Sequence, residues 1–74
     1  MRISVNGELR DVPAGLSLQE LIAMLTLPAE RLAIELNRNV VRRIDWIETM
    51  LAEDDRVEIV HFVGGGDGGI DVVN

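Results

Sequence analysis

RISVNGELRDVPAGLSLQELIAML, residues 2–25, changes its hydrophobic period midway, and that change decides the fold class. Residues 2–6 alternate polar and apolar, the pattern of a half-buried strand. Asn6-Gly7 then supplies two residues that tolerate positive φ, as a type I′ turn requires. Residues 8–12 return to a strand-like pattern, so residues 2–12 are expected to form a hairpin. Pro13-Ala14-Gly15 breaks it. Ser17 and Glu20 have the spacing of a capping box at a helix start. Leu18, Leu21, Ile22 and Leu25 follow at the spacing of one apolar helix face, and Pro28 ends the run.

Strand periodicity resumes beyond Pro28. Leu32, Ile34 and Leu36 share one phase, and Ala33, Glu35 and Asn37 the other. Arg38-Asn39 is a turn candidate and Val40-Val41 a short strand. Residues 43–51 suggest one or two helical turns, and Glu53-Asp54-Asp55 an acidic turn. Residues 56–63 are rich in β-branched side chains and form the strongest strand signal. The order is β-β-α-β-β-(short helix)-β. It implies an α+β domain over residues 1–63, with a mixed sheet covered on one face by its main helix. The first and last of these strands are apolar enough to be central. Five of the seven glycines lie in residues 64–74, so this end is expected to be a flexible, glycine-rich tail. Its final residues, 70–74, are too few for an independent element.

Composition limits function. Seventy-four residues make one small domain. There is no cysteine, hence no disulfide and no thiolate metal site. The formal net charge of −6 disfavours a nucleic-acid partner and favours a basic protein surface. All seven cations are arginine. No apolar run approaches the ~20 residues of a membrane span, and residues 1–10 lack a signal-peptide core. A cytoplasmic location is expected.

The chain offers little for catalysis. Ser4, Ser17 and the single His61 are its few candidates, and Ser17 is already assigned to a helix cap. No catalytic residue is assigned. Glu53-Asp54-Asp55 lacks the spacing of a calcium loop, so no metal site is assigned either. Gly64-Gly65-Gly66 is not followed by the Lys-Ser/Thr of a phosphate loop. His61 falls in phase with Val57 and Ile59 and is expected to be partly buried on its strand. Trp46 is expected in the core, where its indole N–H needs an acceptor. A glycine arm ending in a carboxylate suits another role, passage through a narrow channel into a partner's active site.

Several segments together resemble the ThiS family, the sulfur carriers of thiamine biosynthesis, which have the ubiquitin-like β-grasp fold. They are Val5-Asn6-Gly7-Glu8, Leu18-x-x-Leu21-Ile22, Ala33-Ile34-Glu35-Leu36-Asn37 and Val40-Val41-x-Arg43-x-x-Trp46. Residues 55–60 and His61-Phe62-Val63-Gly64-Gly65-Gly66 complete the resemblance, which covers residues 1–66. Arg42 stands where the family usually has Pro, and Asp54 where a Gly-Asp turn is usual. Family members end at the diglycine, whereas eight residues follow Gly66 here.

The resemblance implies a carrier acted on by other enzymes, with no stably bound cofactor. An E1-like, ThiF-like adenylating enzyme would use ATP and magnesium to activate the Gly66 carboxylate. A sulfur donor would convert it to a thiocarboxylate, and a ThiG-like thiazole synthase would take the sulfur. Gly64, Gly65 and Gly66 would enter the partner's active site. For that, a peptidase must trim after Gly66, or the extension must be spurious; otherwise the chain has diverged from sulfur transfer. Strand phase adds a docking patch. Glu58, Val60 and Phe62 would face away from the helix, with Ala33 and Glu35 beside them. Two alternatives are a MoaD-like carrier for molybdopterin synthesis and a ubiquitin-like binding module without acyl chemistry.

Overall fold

The computed structural model describes residues 1–64 and 70–73. Strands β1 (Arg2–Val5) and β2 (Glu8–Asp11) precede helix α1 (Leu18–Met24), and β3 (Leu32–Leu36) and β4 (Asn39–Val41) follow it. β5 (Arg56–Gly64) and β6 (Ile70–Val73) complete the order. Five strands lie in the order β2-β1-β5-β3-β4, and β6 pairs with β5. β1 and β5 run parallel, and every other described pairing is antiparallel. This is the mixed sheet of the β-grasp fold, with its first strand beside a central β5.

The core lies between α1 and one sheet face. Ile3 and Val5 from β1, Val57 and Ile59 from β5, and Leu32 and Ile34 from β3 are all buried. Each pair is separated by two positions, so one face of three adjacent strands is apolar. Leu18, Leu21 and Ile22 of α1 cover it, joined by Trp46 and Leu51. The helix has only seven residues, too few to be stable alone, so this burial holds it. The expected capping box is present. The Glu20 backbone N–H donates to Ser17 Oγ at 3.1 Å, and the Ser17 N–H donates to Glu20 Oε1 at 3.0 Å. The helix stops at Met24, before Pro28, and Thr26 just beyond turns to a φ of 58°.

Three sequence expectations shift. The β3–β4 turn comprises Asn37 and Arg38, with φ of 51° and 71°, rather than Arg38 and Asn39. The Asn37 side chain fixes this register, accepting from the Arg56 N–H at 2.9 Å and donating to Asp55 Oδ1 at 3.0 Å. Residues 43–51 form a 3₁₀ turn, Arg43–Asp45, continued by i→i−3 bonds from Glu48 and Thr49. Trp46 anchors the segment: it is 1% exposed, and its Nε1–H donates to the Val41 carbonyl at 2.9 Å. At the chain end, Ile70–Val73 form a strand that depends on β5 for its pairing. The rest of the expected tail beyond Gly64, residues 65–69 and 74, lies outside the described residues.

Arg42 has φ −64° and ψ 145°, within the range that a proline ring imposes. Its N–H has no backbone acceptor among the described residues. Arg42→Pro is therefore expected to stabilise the domain by about 0.4–1 kcal/mol by restricting the unfolded chain. Thermal denaturation should show a midpoint a few degrees higher.

Candidate functional site

The candidate site is the outer end of β5 together with the sheet face opposite α1. Alternation along β5 buries Val57 and Ile59 and turns Glu58, Val60 and Phe62 the other way. Cross-strand register brings the expected neighbours together. Ala33 lies directly opposite Val60, and Glu35 opposite Glu58. Phe62 continues the same phase one step past Val60, toward the arm. Glu58 is exposed, whereas Ala33, Glu35, Val60 and Phe62 are half-buried. The patch is therefore less open than its strand phase suggests. It has an apolar end next to the arm and an acidic end formed by two facing carboxylates. Facing like charges repel across a strand pair, so a cationic partner group placed between them would relieve that repulsion.

The same face extends further than the sequence suggests. Val40 is opposite Glu35 and 74% exposed. Leu9 is opposite Ser4, which is itself opposite Arg56, and is 70% exposed. Both lie on the short outer strands β4 and β2. Leu9 stands alone between Glu8 and Arg10, and Val40 lies in a strand of three residues, so periodicity has little to act on there.

Asn6 is the other residue whose role exceeds its sequence signal. Its φ of 50° and that of Gly7, 84°, close the β1–β2 turn, as Asn-Gly predicts. Its side-chain amide then acts as a further rung of the sheet. The Ile59 N–H donates to Asn6 Oδ1 at 2.7 Å, and Asn6 Nδ2 donates to the Ile59 carbonyl at 3.2 Å. β1 itself pairs with β5 only at Ser4–Arg56 and Val5–Val57, so this amide prolongs a short parallel ladder. It ties β5 to the β1–β2 turn two residues beyond that ladder.

Of the arm, Gly64 closes β5 and is opposite Ile70. Gly65 and Gly66 lie outside the described residues. His61 is half-buried on β5, opposite Leu32, and borders a hollow with Val5, Asn6 and Leu27. A larger cavity of about 680 Å³ lies on the helix side, lined by Ile22, Ala23, Leu27, Ile44 and Trp46. It brings no acid–base pair together. Among the described residues no cluster of His, Asp or Glu has metal-site geometry. No described helix is long and apolar enough to cross a membrane.

Replacing Asn6 tests the rung. Asn6→Ala leaves the Ile59 N–H and carbonyl without partners and puts alanine in the left-handed region. The expected cost is about 2–4 kcal/mol in denaturant unfolding. The Ile59 amide should exchange faster than in the parent under native conditions, and an unchanged rate would refute the rung.

Comparison with known proteins agrees with this geometry. The ThiS family model matches residues 3–66, stopping at the last glycine of the arm. A thiazole synthase of Magnetococcus marinus is 42% identical over 66 residues, which are 89% of this chain. The chain spans only 20% of that protein's length. The sulfur carrier protein ThiS of Bacillus subtilis is 36% identical over 50 residues, 68% of this chain and 76% of that one. The crystal structure of the thiamine biosynthesis protein ThiS from Geobacter metallireducens superposes with a TM-score of 0.79 at 35% identity. That match covers 89% of this chain and all of the other. Fold, strand order and a sequence match that ends on the glycine arm agree, and the chain belongs to the ThiS family.

Proposed function

We propose that this chain is the sulfur carrier for thiazole formation in thiamine biosynthesis, and that Gly66 is its working terminus. As a ThiS-family domain it is a carrier and not a catalyst. The observation that carries the reading is the family match ending at Gly66, two residues past the end of the central strand β5. Three extended residues reach roughly 10 Å. Glycine has no Cβ to obstruct a narrow passage.

A carboxylate is a poor acyl donor, so the cycle needs activation by another protein. An E1-like adenylating enzyme, with ATP and magnesium, joins the Gly66 carboxylate to AMP and releases pyrophosphate. Sulfur from a donor displaces AMP and leaves a thiocarboxylate on Gly66. Thiazole synthase then takes that sulfur. The relationship to two thiazole synthases supports this last partner. The Ala33, Glu35, Glu58, Val60 and Phe62 face is the docking surface for these enzymes, and Phe62 is its aromatic anchor. The cycle runs in the cytoplasm. Gly66 must bear a free carboxylate to enter it, so residues 67–74 must be removed or absent.

Intact-mass analysis tests the chemistry. Incubated with adenylating enzyme, ATP and a sulfur source, the chain ending at Gly66 should gain the mass difference of sulfur for oxygen. The chain ending at Asn74 should not, and conversion at Asn74 would overturn the assignment. Phe62→Ala should weaken binding to the adenylating enzyme and to thiazole synthase by about thirtyfold, the effect of a 2 kcal/mol anchor. Unchanged affinity for both would remove the patch from the docking surface.

A further inference from the structure

β5 has two edges, and they are occupied differently along its length. One edge pairs with β3 from Val57 to His61. The other pairs with β1 at Arg56 and Val57, and the Asn6 amide then holds Ile59. His61 pairs with Leu32 of β3 and with Val73 of β6, so β6 lies on the β1 edge, beyond the Asn6 rung. From there the register runs Phe62–Val72, Val63–Asp71 and Gly64–Ile70. The extension thus returns along the one stretch of β5 that β1 leaves unpaired. Ile70-Asp71-Val72-Val73 is mostly β-branched, as a strand requires. The five intervening residues, 65–69, include four glycines, which favour a chain reversal.

We propose that Ile70–Val73 is an autoinhibitory strand that pairs with the outer end of β5 and withholds the glycine arm from partner enzymes until it is displaced or cut away. The inference rests on the carrier reading, in which the arm must extend away from the sheet. With β6 in place, Gly64 is committed to a hairpin rung, and the chain after it must reverse within five residues. The same strand covers the backbone edge beside Phe62, at the apolar end of the docking face. The lock is weak by construction of the fold. Four residue pairs closed by a glycine-rich connection form a marginal hairpin, open for a minor fraction of the time. Hydrolysis between Gly66 and Asp67 consumes one water, creates the Gly66 carboxylate and detaches β6 from the arm. A single cut would then both create the reactive group and free it.

The test compares three forms of the protein: the full chain, the chain ending at Gly66, and the full chain carrying Asp71→Pro and Val72→Pro. Two adjacent prolines remove a ladder N–H whichever of the two residues points toward β5. Binding to the adenylating enzyme is measured without ATP, alongside amide exchange at residues 61–64. The full chain should bind about tenfold or more weakly than the truncated one, as expected if the open form is at most a tenth of the population. The proline variant should regain most of that affinity while remaining unable to form a thiocarboxylate. Its amides at 61–64 should exchange faster than those of the full chain, with exchange at Ile34 and Val57 unchanged as a check on folding. Equal affinity of the full chain and the proline variant, with the truncated chain tighter than both, would overturn autoinhibition and leave the carrier role standing. Equal exchange at residues 61–64 in the full and truncated chains would overturn the pairing itself. Failure of the truncated chain to bind at all would overturn the carrier reading, and the autoinhibition proposal with it.

Discussion

The parallel contact between β1 and β5 is the constraint on which the rest of the molecule depends. It joins the first strand of the domain to the long central strand through only two residue pairs. Two asparagines make so short a ladder sufficient. Asn6 extends it past Val57 with a side-chain rung to Ile59. Asn37 secures the start of the strand at Arg56 from the β3–β4 turn. Both residues sit at positive φ, where asparagine is better tolerated than most side chains. Each therefore closes a hairpin and bonds to β5 at once. With β5 fixed, the buried pairs Ile3/Val5, Leu32/Ile34 and Val57/Ile59 come into one plane, and α1 has a surface to cover.

Much of this was legible in the sequence because local and global signals coincide. Ser17 and Glu20 announce the helix start, and the structure shows both capping bonds. Alternation along residues 56–62 gives the buried and outward phases correctly, because β5 is central and Val57 and Ile59 pack under α1. The misplaced turn after β3 has a simple cause. Local composition makes Asn37, Arg38 and Asn39 near-equivalent turn formers, and the choice is made by Arg56 and Asp55, which are distant in sequence. The 3₁₀ character of residues 43–45 was hidden for a similar reason. It follows from the tie of the Trp46 indole to Val41, which tightens the segment against the edge of the sheet.

The candidate site was legible in its phase but not in its extent. Strand phase puts Ala33 and Glu35 beside Val60 and Glu58 only if their strands are neighbours, and the register makes them direct partners. Leu9 and Val40 share the face, but their own strands are too short and too exposed to show a period. The return of residues 70–73 onto β5 was not legible at all. Four residues carry no period of their own, and their strand character arises from a free edge that exists only once β1 has stopped at Val5.

The position of Trp46 has an optical consequence. It is the only tryptophan in a chain without tyrosine, so the near-ultraviolet emission of the domain comes almost entirely from one indole. That indole is buried among α1 and core residues, on the opposite side of the sheet from Val60 and Phe62. Its emission therefore follows the integrity of the packed half of the molecule and is insulated from events on the open face. Unfolding and docking can in this way be followed as separate signals in an unlabelled sample, the first by intrinsic fluorescence and the second by any probe placed near the arm.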